Sequence, residues 1–131
     1  MAGERILIVE DEEDIQELLR YNLAQEGYRI SSVFTAEEGL QQCLSDAPDL
    51  VLLDLMLPGM DGLAFCQQLK QDPATRNIPV IMVTAKDVGA KIQADMKLEA
   101  DDYISKPFSV DHLLNTVRTV LDRRANGHVK E

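Results

Sequence analysis

The segment LVLLDLMLPG, residues 50–59, carries the clearest signal of the fold class. Four consecutive apolar residues lead into Asp54, and the proline and glycine that close the stretch predict a loop. A continuous apolar run, rather than an alternating one, is typical of a strand that is covered on both faces, as in a parallel sheet. Asp54 is therefore predicted to stand at the carboxyl end of a central strand.

Four further strands are predicted on either side of this one. Two are equally continuous apolar runs and two are weaker; in chain order the four are Ile6–Val9, Arg29–Val33, Val80–Val83 and a short run at residues 103–104.

Helical patterns separate these strands. Their apolar residues are Ile15, Leu18, Leu19 and Leu23 in the first, Leu40 and Leu44 in the second, Leu63, Cys66 and Leu69 in the third, a weaker set over about residues 90–98, and Leu113, Leu114, Val117, Val120 and Leu121 in the fifth. Gly27 stands where the first helix would stop, Thr35 and Glu38 predict a capping box, and Ser109 is the predicted N-cap of the fifth helix. The alternation predicts an α/β fold with a parallel sheet and helices on both faces.

Composition narrows the class of protein. The chain has 131 residues, which suits one domain, and its net charge of −10 disfavours nucleic acid as a partner of this chain. No apolar run is long enough to cross a membrane, and the first residues lack the layout of a signal peptide, so we expect a cytoplasmic protein. Cys43 and Cys66 are spaced neither as a metal knuckle nor as a redox motif, and we predict two reduced thiols in the core.

Polar residues follow the predicted strands where each one ends. Glu10 and Asp11 follow the first strand, Asp54 the third, Thr84 the fourth and Lys106 the fifth. In an open parallel sheet, ligands bind at the carboxyl ends of the strands. These side chains are therefore predicted to converge on one edge.

The chemistry of this set indicates a metal and a phosphoryl group. Crowded carboxylates repel one another, and oxygen ligands without clustered His or Cys favour Mg²⁺ over zinc. Mg²⁺ and Lys106 would neutralise a phosphoryl group while Thr84 donates a hydrogen bond to it. The chain has no glycine-rich phosphate loop, which leaves covalent phosphorylation with Asp54 as the nucleophile.

Four blocks of the sequence resemble the signature blocks of response-regulator receiver domains. They are IVEDE (8–12), DLMLPGMDG (54–62), VTA (83–85) and DYISKPF (102–108). The resemblance covers about residues 5–121 and is closest in pattern to the receivers of winged-helix transcriptional regulators. It implies a single flavodoxin-like (βα)5 sheet with strand order 2-1-3-4-5, and a phosphoryl group taken from a sensor histidine kinase or a phosphotransfer protein.

The resemblance also implies a role for each site residue. Asp54 would be the phosphoacceptor and a metal ligand. Asp11 would bind Mg²⁺ directly, Glu10 directly or through water, and Met56 through its backbone carbonyl. Lys106, which would pair with Asp54 before phosphorylation, would contact the phosphoryl oxygens afterwards, and its bond to Pro107 would be cis. Thr84 and Tyr103 would form the switch, and Met56 and Lys86 would tune the rate of hydrolysis. The face made by the fourth helix, the fifth strand and the fifth helix would then change to control a downstream output, including through a phosphorylation-dependent homodimer.

We expect residues 1–122 to form the receiver domain and residues 123–131 a tail or the start of a linker. The domain would assist only its own phosphorylation and autodephosphorylation, and would not be an enzyme acting on an outside substrate. Two alternatives stay open on the sequence. One is a Mg²⁺-dependent phosphatase with an aspartyl-phosphate intermediate, which Met56 disfavours because such enzymes usually carry a second carboxylate there. The other is an interaction module that works without phosphorylation.

Overall fold

The computed structural model describes residues 3–54, 60–84 and 100–125, and this part of the chain contains five strands and four helices. The elements are β1 (Arg5–Glu10), α1 (Glu13–Gln25), β2 (Arg29–Val33), α2 (Ala36–Ser45), β3 (Leu50–Asp54), α3 (Met60–Gln71), β4 (Val80–Thr84), β5 (Asp102–Ser105) and α4 (Val110–Ala125). The weak helix predicted over residues 90–98 lies outside the described residues. The predicted fifth helix is therefore α4 here, and it continues past residue 122 to Ala125.

The five strands form one parallel sheet in the order β2-β1-β3-β4-β5. This order confirms the flavodoxin-like parallel sheet with strand order 2-1-3-4-5 that the resemblance implied. Its centre is β3, whose five residues are all buried, as the continuous apolar run predicted. The edge strand β2 is partly exposed, which explains its weaker apolar pattern.

Alternate residues of each strand enter two separate cores, one on each face of the sheet. On one face, the strands pack against apolar residues of α1 and α4, among them Leu19, Leu23, Leu113 and Val117. On the other face, they pack against residues of α2 and α3, among them Cys43, Phe65, Cys66 and Leu69. Burial on both faces is why the central strands are apolar at every position. None of the described helices is both long enough and apolar enough to cross a membrane.

The predicted helix ends are confirmed. Gly27 adopts a φ of 94°, a conformation that a residue with a Cβ rarely takes, and its N–H donates to the Ala24 carbonyl at the end of α1. Thr35 Oγ1 accepts from the Glu38 N–H at 3.1 Å, as predicted for a capping box. Ser109 Oγ accepts from the His112 N–H at 3.0 Å and caps α4.

The prediction that Leu18 belongs to the apolar face of the first helix is wrong. Leu18 is 47% exposed, although its neighbour Leu19 is fully buried. Successive residues of a helix are about 100° apart, so the two cannot both face a narrow core. The buried face of α1 instead runs through Gln16, Leu19 and Leu23.

Candidate functional site

Four of the predicted site residues end or follow strands at the same edge of the sheet. Glu10 and Asp54 are the last residues of β1 and β3 and are direct partners in the register of the two strands. Thr84 is the last residue of β4, with its backbone opposite Ser105 of β5. Lys106 follows β5 and is joined to Pro107 by a cis peptide bond, as the resemblance implied.

Lys106 and Asp54 form an ion pair at this edge. The ammonium Nζ lies 3.0 Å from Asp54 Oδ1, and the two side chains are 35% and 1% exposed, respectively. The buried carboxylate is thus matched by a cation that itself reaches solvent. A buried carboxylate requires such a partner, because burying an unpaired charge is costly.

Glu10 is the second buried carboxyl group of the site. Its Oε2 accepts a hydrogen bond of 2.7 Å from the N–H of Glu12. Burial is the main cause that raises the pKa of Glu10 to about 9, and the adjoining Asp54 carboxylate adds to the rise. The hydrogen bond from the Glu12 N–H and, to a smaller extent, the charge of Lys106 oppose this rise of the Glu10 pKa.

Two oxygen atoms of the site are buried with no hydrogen-bond partner. They are Glu10 Oε1 and Asp54 Oδ2, one on each of the two paired strands. Buried acceptors are normally satisfied, and a pair of unsatisfied carboxylate oxygens is the arrangement that a bound cation would complete. The donor set therefore fits Mg²⁺, which prefers oxygen ligands and keeps several of its waters.

The protein ligands for such an ion are few in the described residues. No group of three or more His, Cys, Asp and Glu side chains is arranged around a common metal position in residues 3–54, 60–84 and 100–125. Asp11 follows Glu10 directly and is exposed. Two carboxylates, waters and the carbonyl of Met56 would suffice for Mg²⁺, since this ion is usually bound through one or two carboxylates. Met56 and Lys86 lie outside the described residues.

Tyr103 lies within β5, opposite Met82 of β4. The side chain is half-buried and packs against the core on the α2 and α3 face of the sheet. Tyr103 therefore occupies the strand that leads to Lys106, and it is neither fully buried nor fully exposed.

Gln16 was not among the predicted site residues. Its side chain is buried at 5% exposure and donates to the backbone carbonyls of Glu10 and Val33. A signal was present in the sequence, because Gln16 precedes Leu19 and Leu23 by three and seven residues and so shares their helix face. A polar residue at a buried helical position calls for hydrogen-bond partners.

Comparison with known proteins defines the class of this protein. Residues 6–118 match the response regulator receiver domain family, and the chain belongs to that family. It is a receiver domain of a response regulator in two-component signalling.

Two of the curated relatives are named as transcriptional regulatory proteins, and both are considerably longer than this chain. The chain is 40% identical over 125 residues to the phosphate regulon transcriptional regulatory protein PhoB of Rhizobium meliloti, covering 95% of this chain and 55% of that protein. It is 41% identical over 121 residues to the alkaline phosphatase synthesis transcriptional regulatory protein PhoP of Bacillus subtilis, covering 92% of this chain and 50% of that protein. The chain thus spans about half the length of the curated relatives it matches.

Solved receiver domains have the same fold. The receiver domain of a signal transduction histidine kinase from Syntrophus aciditrophicus has a TM-score of 0.82 and 34% identity, over 98% of this chain and 96% of that one. The receiver domain of the sensor histidine kinase PA1611 from Pseudomonas aeruginosa has a TM-score of 0.81 and 26% identity, over 92% and 99% of the two chains. That structure holds a magnesium ion in its active site cleft.

Proposed function

We propose that this receiver domain is a Mg²⁺-dependent phosphoacceptor switch, in which Asp54 takes a phosphoryl group from a sensor histidine kinase or a phosphotransfer protein. The observation that carries the proposal is the buried Asp54 carboxylate, paired through Oδ1 with Lys106 while its Oδ2 and Glu10 Oε1 lack partners. The site thus contains a nucleophile in Asp54, a cation in Lys106, and two oxygen atoms that are available to bind a second cation.

Each residue of the site has a part in this chemistry. Asp54 attacks phosphorus and forms an acyl phosphate, while the donor's histidine nitrogen leaves. Lys106 moves from Asp54 to the phosphoryl oxygens, where its charge offsets the charge of the transferred group. A bound Mg²⁺, held by Asp11, Asp54, the Met56 carbonyl and Glu10 directly or through water, would supply further charge neutralisation.

The proposed output rests on residues beside the acceptor. Thr84 would hydrogen-bond to the phosphoryl group, and Tyr103 would turn inward as Thr84 moves, changing the face that includes β5 and α4. Met56 and Lys86 would set the rate of hydrolysis. The phosphorylated protein would form a homodimer through this face. Residues 1–122 would form the receiver domain, residues 123–131 a tail or the start of a linker, and the protein would be cytoplasmic.

The proposal can be tested by intact-mass measurement after incubation with Mg²⁺ and acetyl phosphate. We expect one phosphoryl adduct that requires Mg²⁺ and is absent from Asp54→Asn. The matched control is Asp49→Asn, because Asp49 precedes the same strand at its opposite end and accepts from the Arg5 N–H there. An adduct that survives Asp54→Asn would refute the assignment of the acceptor, and catalytic release of phosphate over many turnovers would instead favour the phosphatase.

A further inference from the structure

Gln16 joins two strands and a helix beside the candidate site. Its side-chain Nε2 donates to the Glu10 carbonyl at 3.3 Å and to the Val33 carbonyl at 2.9 Å. Glu10 and Val33 are the last residues of β1 and β2, and Gln16 lies in the first turns of α1. One buried amide group thus bonds to the ends of two strands.

The pairing of the strands explains why this amide is needed. The register between β1 and β2 ends at Val9 and Val33, whereas the register between β1 and β3 continues to Glu10 and Asp54. At Glu10 the strand β1 therefore has a partner strand on one side only. The Gln16 amide supplies a donor on the other side, where a strand carbonyl would otherwise be buried without a partner.

The same segment is closed by two further hydrogen bonds. The Glu12 N–H donates to the Glu10 carboxylate at 2.7 Å, and the Gln16 N–H donates to the Glu12 carbonyl at 3.0 Å. With the side-chain bond from Gln16 to the Glu10 carbonyl, these contacts form a closed ring around the turn that carries Asp11. The backbone on both sides of Asp11 is consequently tied to the start of α1.

We propose that Gln16 is a positioning residue for the metal site, acting through the backbone of Glu10 and Asp11 without touching the ion. The inference rests on the proposed function, because it assumes that these carboxylates take part in Mg²⁺ binding. Residues that hydrogen-bond around metal ligands hold them in the binding geometry, and their loss typically weakens metal affinity. Gln16 holds these ligands in place by fixing the end of β1 and the start of the turn that carries Asp11.

The test compares Mg²⁺ affinity and stability in the parent protein and two variants. Gln16→Met keeps the length of the side chain and removes both donated hydrogen bonds. Thr75→Val is the matched control, because Thr75 is also buried and its hydroxyl donates to the Leu69 carbonyl at 2.8 Å, between α3 and β4 at the opposite edge of the sheet. Calorimetric titration with MgCl₂ gives the dissociation constant, and urea unfolding without metal gives the stability.

We expect both variants to be less stable, but only Gln16→Met to bind Mg²⁺ more weakly, by about tenfold. A dissociation constant for Gln16→Met within about twofold of the parent value would show that the amide only stabilises the fold, and would overturn the inference while leaving the proposed function intact. A parent protein that binds no Mg²⁺ would overturn both.

A second measurement needs no variant and covers the case in which Gln16→Met does not fold. The side-chain amide signals of Gln16 are followed by NMR in the parent protein during the same Mg²⁺ titration. They are expected to shift with the same midpoint as the backbone amides of Glu10 and Glu12. Shifts of Glu10 and Glu12 without any shift of the Gln16 side-chain amide would refute the inference.

Discussion

Lys106 Nζ lies 3.0 Å from Asp54 Oδ1, and this contact joins the residue that follows β5 to the residue that ends β3, two strands that are not neighbours in the sheet. The strand between them is β4, so the lysine reaches across its carboxyl end. Asp54 is buried, whereas about a third of Lys106 remains exposed. The pair therefore links Asp54 to solvent and to the strand that carries Tyr103.

Lys106→Met is expected to destabilise the metal-free protein, because it leaves the buried Asp54 carboxylate without its cation. Removing one partner of a fully buried pair costs about 3–5 kcal/mol, but solvent screens the partly exposed lysine, so we expect about 1–3 kcal/mol. Urea unfolding measures the change. Arg20→Met is the control, since Arg20 pairs with Glu17 at 3.7 Å on the surface. This substitution should change the free energy of unfolding by less than about 0.5 kcal/mol. Equal effects of the two substitutions would contradict the importance of the buried pair.

The metal-free protein is expected to lose stability as the pH rises from about 5 to 9. The pKa of Glu10 is raised from 4.5 to about 9 in the folded protein, so within this window the folded state binds a proton that the unfolded chain releases. The stabilisation is thus complete below pH 4.5 and is lost as the pH approaches 9. Urea unfolding at several pH values measures it.

Glu10→Gln should remove this pH dependence and make the metal-free protein more stable at pH 8, by on the order of 2 kcal/mol. Glu13→Gln, an exposed position in the first turn of α1, should keep the parent's pH dependence. Added Mg²⁺ should stabilise the parent more at pH 8 than at pH 5, because it favours ionised carboxylates. A Glu10→Gln variant with the parent's pH profile would show that another group is responsible.

Gly39→Ala is expected to destabilise the fold although alanine is the better helix former. A Cβ at this position of α2 would lie 2.9 Å from Val9 Cγ2 and 3.1 Å from Phe65 Cε2, and both side chains are buried in the core. Alanine gains about 1 kcal/mol of helix propensity, whereas overpacking costs about 1–3 kcal/mol. We expect urea unfolding to show a net loss of up to about 2 kcal/mol. Val9→Ala should reduce the cost of Gly39→Ala, and the absence of such coupling would argue against the steric cause.

The two thiols are expected to react slowly in the folded protein. Burial raises the pKa of Cys43 to about 11, so little thiolate is present at pH 8, and Cys66 is also buried. Reaction with a disulfide reagent such as DTNB should be slow without denaturant and should reach two thiols per chain in urea. Rapid modification of the native protein would show that the α2 and α3 side opens more readily than its packing indicates.

The positions of polar residues at the strand ends could be predicted from the sequence. Apolar runs place Asp54 and Thr84 at strand ends because periodicity is a local property of the chain, and the parallel topology brings such ends to one edge. The capping residues Thr35 and Ser109 were likewise predictable, since a cap involves only the next three residues. Leu18 was misplaced because a dense apolar pattern does not say which of two successive residues faces the core.

Local sequence patterns were sufficient to predict the order of strands and helices along the chain, the two-sided burial of the sheet and the polar residues at its carboxyl edge. The family resemblance implied that Lys106 pairs with Asp54, and the two lie 3.0 Å apart. The shared burial of Glu10 and Asp54, and the hydrogen bonds from Gln16 to the ends of β1 and β2, emerged only from the tertiary structure. The physical reason is that helix and strand patterns arise from neighbouring residues. Desolvation, ion pairing and the satisfaction of buried carbonyls depend on which distant segments come together.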